Sequence, residues 1–199
     1  MEPTVTFPRQ KTVWSSVREW IQVIVIALLI ALPIRFFIAE PFIVNGASMD
    51  PTFSTGQFLI VDRLSYRLEN PQRGDVIVFE YPENPSIYYI KRIIGLPGET
   101  ILIRDGGVTI TNPNDVAFTT ANPNGLALNE PYIAYIHRSH DTFTTTLGSS
   151  SYFVMGDNRL QSSDSRAWGP LDRNFIIGKP FIRLLPLGNL SVWPGKEDQ

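Results

Sequence analysis

The chain has 199 residues, enough for one sizeable domain with an appendage and a real core. A formal net charge of −2, from 17 Lys+Arg against 19 Asp+Glu with no basic cluster, gives no surface for nucleic acid. With no cysteine, a disulfide framework and a thiolate metal site are excluded, and the two histidines, His137 and His140, read as surface residues of a Thr/Ser-rich loop.

Residues 1–19 form a polar tail in which Arg9, Lys11 and Arg18 outnumber Glu2 and Glu19. The run Trp20–Ala39 is almost wholly apolar and long enough to cross ~30 Å of hydrocarbon as a helix. Its one charge, Arg35, can snorkel to the headgroups, and Trp14 and Trp20 suit the near interface. The run is too long for the apolar region of a cleaved signal peptide, and no small-x-small site directly follows it. The basic excess before it predicts a cytoplasmic N-terminus, and everything from about Glu40 is expected on the exported side.

Beyond this anchor the pattern becomes short and β-like. Gln57–Asp62, Asp75–Tyr81, Ile87–Ile94 and Thr100–Arg104 are rich in β-branched and aromatic residues, with Gly and Pro turns between them. Residues 111–151 are loop-like, heavy in Asn, Pro, Thr and Ser, and read as an inserted flap with one strand candidate at Tyr132–Ile136. Tyr152–Met155 and Phe175–Leu185 return to strand character. The exported domain, 40–199, is therefore expected to be mainly β and antiparallel. No repeat or heptad pattern indicates an oligomeric state.

Three stretches carry chemistry. Asn45–Thr52 sets Ser48 among small residues and a Pro just beyond the anchor. A serine hydroxyl is a poor nucleophile until a base takes its proton. With both histidines far away in sequence, lysine is the next base to consider, and burial must lower its pKa for it to serve. Lys91 lies inside the apolar strand candidate, sharing a face with Tyr89 and Ile93, while Ile90, Arg92 and Ile94 share the other. One of the two cations must then face an apolar neighbourhood, and lysine is the one that can lose its proton there. The third stretch, Gly156–Arg166, alternates small hydroxyls with acids and arginines. Asp164 with Arg166, or Asp157 with Arg159, can pair there, and a serine can hydrogen-bond the lysine nitrogen.

Together these stretches resemble the type I signal peptidases, membrane-bound Ser-Lys endopeptidases that remove signal peptides from exported proteins. Ser48–Thr52 matches the family's S-M-x-P-T segment, Lys91–Glu99 is similar to its lysine segment, and Gly156–Arg166 resembles its G-D-N-R-x-x-S-x-D-S-R segment. The resemblance implies an antiparallel β-sheet catalytic domain behind one N-terminal transmembrane helix. It also implies Ser48 as nucleophile, Lys91 as general base, Ser162 as the group that orients the amine, and Asp164 and Arg166 as support. Pocket walls that accept small side chains would be Val44, Met49, Phe53, Tyr89 and Ile90. Where some members carry a serine hydroxyl for the oxyanion, this chain has Gly46, so backbone N–H groups must serve. The implied partners are signal-peptide-bearing preproteins and the lipid bilayer of a bacterial-type plasma or thylakoid membrane, with no nucleic acid, cofactor or metal. The other readings are a Ser-Lys protease of the self-cleaving repressor type, which the spanning run opposes, and a tethered binding module without catalysis.

Overall fold

The computed structural model describes residues 13–33, 39–134 and 142–196. The chain divides into two units, Met1–Ile38 and Ala39–Gln199. The described part of the first is one helix, α1 (Val13–Pro33). The helix expected over Trp20–Ala39 thus begins earlier, inside the supposed tail, and Ala39 already belongs to a strand. Residues 1–12, and 34–38 with Arg35, lie outside the described residues. Among the described residues, no helix is long and apolar enough to cross a membrane.

The second unit is mainly antiparallel β, as the alternating apolar segments require. In chain order it contains β1 (Ala39–Ile43), β2 (Phe58–Asp62), the short helix α2 (Ser65–Leu68), β3 (Val76–Tyr81) and β4 (Asn84–Gly95). Then come β5 (Thr100–Arg104), β6 (Gly107–Thr111), α3 (Val116–Ala121), β7 (Leu126–Ala127) and β8 (Phe143–Thr146). The chain closes with β9 (Ser151–Met155), α4 (Ser165–Trp168), β10 (Leu171–Asp172), β11 (Ile176–Leu185) and β12 (Ser191–Val192).

An eight-stranded sheet runs β1-β2-β11-β3-β4-β9-β10, with β12 added on β11. The long strand β11 pairs with β3 through Ile176 and Gly178, then with β2 from Lys179 onward. At the handover a Cβ on Gly178 would stand 2.1 Å from the Asp62 carbonyl oxygen, so only glycine lets the two backbones meet there. A second sheet of four strands runs β7-β6-β5-β8.

Strand alternation sorts the core. Ile77 and Phe79 of β3, Ile93 of β4, and Tyr152 and Val154 of β9 share one cluster. The intervening Ile94, Phe153 and Met155 turn to the other side and pack with Ile101, Ile103, Val108 and Ile110 of the four-stranded sheet. Residues 111–151 are therefore less loop-like than their composition suggests. They supply β7 and β8, which flank β6 and β5; of the strand expected over Tyr132–Ile136, Tyr132 and Ile133 form a turn and a bend, and 135–136 lie outside the described residues. Short Thr-rich strands such as β8 alternate only one half-buried residue with one exposed, a pattern too weak to separate from loop. His137 and His140 lie outside the described residues.

Candidate active site

Ser48 sits in the turn after β1, and this turn is tied down at several points. Gly46 N–H donates to Thr55 Oγ1 (3.1 Å), Asp50 N–H to Ala47 O (3.2 Å) and Phe53 N–H to Met49 O (2.9 Å). The segment after β9 presses against it, with Asn158 N–H donating to the Ser48 carbonyl (3.0 Å). Gly156 makes that approach possible, because a Cβ there would lie 2.3 Å from Ser48 O and 2.4 Å from Ser162 Oγ.

Lys91 comes from the opposite wall. It stands across from Ile77 of β3, on the face it shares with Tyr89 and Ile93, and only 3% of it is exposed. Its Nζ donates to Ser48 Oγ at 2.8 Å and to the Ile90 carbonyl at 2.9 Å, 5.0 Å from the centre of the Tyr89 ring. Burial pushes this amine down to about 8 from an ordinary 10.5, and the charges of Asp164 and Asp157 offset only part of that. The arrangement is a hydroxyl beside an amine that sheds its proton near neutral pH, which is what nucleophilic attack by a serine needs.

The neighbouring cation is buried as well, which strand alternation alone did not anticipate. Arg92 has no exposed surface. Since it cannot deprotonate, it is given acceptors: Asp157 (Nε 2.9 Å, Nη2 2.7 Å) and the carbonyls of Gly74 and Gly195. Asp157 also accepts from Thr52 Oγ1 (2.5 Å), which couples the Ser48 turn to β4. Asp157 thus pairs with Arg92, not Arg159, whose guanidinium is bonded to Glu130.

Asp164 does pair with Arg166 (Nε and Nη2 each 2.8 Å), and it caps α4 by accepting from Arg166 N–H. It accepts as well from Gly156 N–H (3.1 Å). Burial works to raise its pKa, but the bonds and charge of Arg166, with hydrogen bonds from Ser162 and Gly156, outweigh that and hold it below the usual carboxylate range. Arg166 Nη2 donates to the Arg159 carbonyl (2.8 Å), closing the loop on itself.

These observations place a serine hydroxyl, a desolvated amine and a braced acidic loop beside a cleft of about 260 Å³. A family model described as signal peptidase, peptidase S26, matches residues 17–185. The chain belongs to the S26 signal peptidase family. It is 35% identical over 196 residues to a probable signal peptidase I-1 of Synechocystis, covering 92% of this chain and 93% of that one. It is 37% identical over 184 residues to signal peptidase I of Leptolyngbya laminosa, covering 89% and 84%. A crystal structure of a signal peptidase I from Enterococcus faecalis is 31% identical, with 56% of this chain and 97% of that one covered and a TM-score of 0.40.

Within this signal peptidase cleft the expected residues divide. Val44, Tyr89 and Ile90 line it together with Ser48 and Lys91. Met49 and Phe53 do not: both are fully buried and pack with Val44, Leu59 and Val76 beneath the turn. They underpin Ser48, because the turn directs its apolar side chains inward. The remaining walls come from residues the sequence reading passed over, chiefly Phe42 and Ile43 of β1, Leu59, Val78 and Tyr88. Ser162 is the other correction. Its buried hydroxyl serves Asp164, whose carboxyl it helps to hold below the usual range, and the lysine's second bond goes to the Ile90 carbonyl.

Proposed function

We propose that this chain is a membrane-anchored serine endopeptidase that removes N-terminal signal peptides from exported preproteins, with Ser48 as nucleophile and Lys91 as general base. The observation that carries the assignment is the 2.8 Å contact between Ser48 Oγ and an amine whose burial holds it near 8. Neutral Lys91 accepts the Ser48 proton as Oγ attacks the carbonyl of a small residue at the signal-peptide junction. Lys91 then passes that proton to the leaving amine, and the mature protein departs. Water, deprotonated by the same amine, hydrolyses the ester and frees the signal peptide.

Backbone N–H groups stabilise the oxyanion, with Ser48 N–H the first candidate. Gly46 stands at φ +100°, where a side chain would be strained, so a hydroxyl donor is not available from that position. Asp164 and Arg166 act by bracing the loop that presses on Ser48. The hydroxyl of Ser162 lies with the Ser48 carbonyl against Gly156, beside Asp164, and turns to hold the amine once the Ser48 proton has moved.

Substrate enters as an extended strand. β1 ends the sheet path, and β4 is unpaired on its outer side before Arg92, so two open backbone edges flank the cleft. The run from Trp20 to Ala39 is the anchor, in a bacterial-type plasma or thylakoid membrane with the N-terminus cytoplasmic. Support for it comes from the sequence, in which Trp20–Ile34 carries no charged residue.

The test is cleavage of a preprotein with an Ala-x-Ala junction by the full chain, beside Ser48→Ala and Lys91→Ala. Cutting after the last Ala by the parent alone, with both variants folded and losing at least ~10³-fold, is the expected result. Full activity in either folded variant overturns the dyad.

A further inference from the structure

One short stretch, 128–133, grips two arginines: Arg92 on β4 beside Lys91, and Arg159 in the segment after β9 that presses on Ser48. It leaves β7 with Leu128 N–H bonded to the Val108 carbonyl of β6 (2.9 Å). It then turns, and Ile133 N–H donates to Glu130 O (3.2 Å). In that turn the Glu130 carboxylate meets the Arg159 guanidinium with both oxygens, accepting from Nη2 at Oε1 and from Nη1 at Oε2 (3.3 Å). Both residues are buried. The Tyr132 ring lies against Arg92, with the guanidinium carbon 3.9 Å from the ring centre. Its hydroxyl donates to Glu130 Oε1 (2.9 Å). Burial, and after it the Glu130 charge, pushes that hydroxyl well above its usual pKa, so it stays a donor.

We infer that Glu130 and Tyr132 are positioning residues for the peptidase reaction, holding from the four-stranded sheet the two arginines that fix the Ser48 turn. This rests on the peptidase reading above and deepens it, giving residues of the inserted segment a part in the same site. Each arginine passes its restraint on. Arg159 Nε donates to the Gly156 carbonyl (3.1 Å), and Gly156 is the residue packed against Ser48 O. Arg92 holds Asp157, which accepts from Thr52 in the Ser48 turn. The two paths start at Glu130 and Tyr132 and end on neighbouring residues, Gly156 and Asp157. A guanidinium has fixed donor directions, so a carboxylate that meets it with both oxygens sets its orientation as well as balancing its charge. An aromatic face stacked on Arg92 likewise fixes its plane. Without these partners both arginines keep their charge but can tilt. The segment after β9 then shifts with them, and with it the bond from Asn158 N–H to Ser48 O.

The experiment uses the full chain in detergent and a peptide with an Ala-x-Ala junction, with activity scaled to the folded fraction read from a thermal melt. Glu130→Gln, which keeps the shape and loses the charge, should lower kcat about 10²-fold, the scale of a displacement near 1 Å, with KM within about twofold. Reaction of Ser48 with a serine-reactive probe should slow in step. Tyr132→Leu should lower kcat about three- to tenfold, the scale of one cation–π contact, while Tyr132→Phe, which keeps the ring, should restore most of it. A purely structural role predicts parent-like kcat in every molecule that is folded. That result in Glu130→Gln, or in Tyr132→Leu where the Gln variant does not fold, overturns the positioning role alone. A folded parent that cuts no such peptide overturns the peptidase reading, and the positioning role with it.

Discussion

Lys91 and Arg92 are adjacent, both are buried, and the protein treats them oppositely. Arg92 keeps its charge under all conditions and is surrounded by a carboxylate and two carbonyls. Lys91 is given a hydroxyl and one carbonyl, so its charged form is the disfavoured one. With its pKa held at about 8, about a tenth of the amine is neutral at pH 7. kcat/KM should therefore climb nearly tenfold between pH 6 and 7, bend near 8 and level off above about 9. A pH–rate profile checks this, and a flat profile across pH 6–9 would contradict the assignment of the base. Stability follows the same sign. Between about 8 and 10.5 the unfolded chain binds a proton that folded Lys91 does not, so this residue's contribution to stability improves as pH rises through that window. Below it, the full cost of burying the charge is felt.

Among the elements, the junction between the end of β9 and the turn after β1 decides whether the dyad forms. Ser48 is not held by its own strand. It is held because Asn158 N–H bonds its carbonyl and Thr52 bonds Asp157, which Arg92 anchors to β4. Gly156 is the point of closest approach, and the atoms it faces include backbone, which cannot yield as a flexible side chain can. Gly156→Ala should therefore push the turn away from the segment after β9 and lengthen the Ser48–Lys91 contact, lowering kcat at least ~10²-fold, since displacements of about 1 Å have that effect. Active-site titration with a serine-reactive probe, together with a thermal melt, separates this local effect from global unfolding. Wild-type turnover in Gly156→Ala would show that the turn is positioned by something else.

For the whole molecule, the order of parts along the chain has a physical use. An apolar helix directly precedes β1, and β1 leads into the Ser48 turn, so an anchored chain would keep the cleft within a short tether of the bilayer. Signal-peptide junctions emerge at that surface, and confinement there raises their effective concentration. The full chain, expressed in bacterial membranes, is expected to stay with the membrane pellet after alkaline carbonate washing and to be released by detergent. Recovery in the carbonate supernatant would mean that the N-terminal run lies on the membrane or off it.

Much of this was readable in the residues themselves. Short β-branched segments with Gly and Pro between them mark β2, β3, β4, β5, β9 and β11, because period-two burial leaves a direct trace in the order of side chains. Ser48 and Lys91 were legible for a similar reason, since a serine among small residues and a lysine inside an apolar strand are each conspicuous locally. What the linear order did not contain was direction. It could not say that Met49 and Phe53 turn under Ser48, that Phe42 and Tyr88 meet across a seam, or that Asp157 chooses Arg92 over Arg159, because each depends on elements distant in sequence. The four-stranded sheet was hidden too, since its half-exposed threonine strands are stable only against one another. The sequence by itself determined which groups could do chemistry; only the tertiary structure, by closing β4 and β9 over the Ser48 turn, decided which of them are desolvated and in contact.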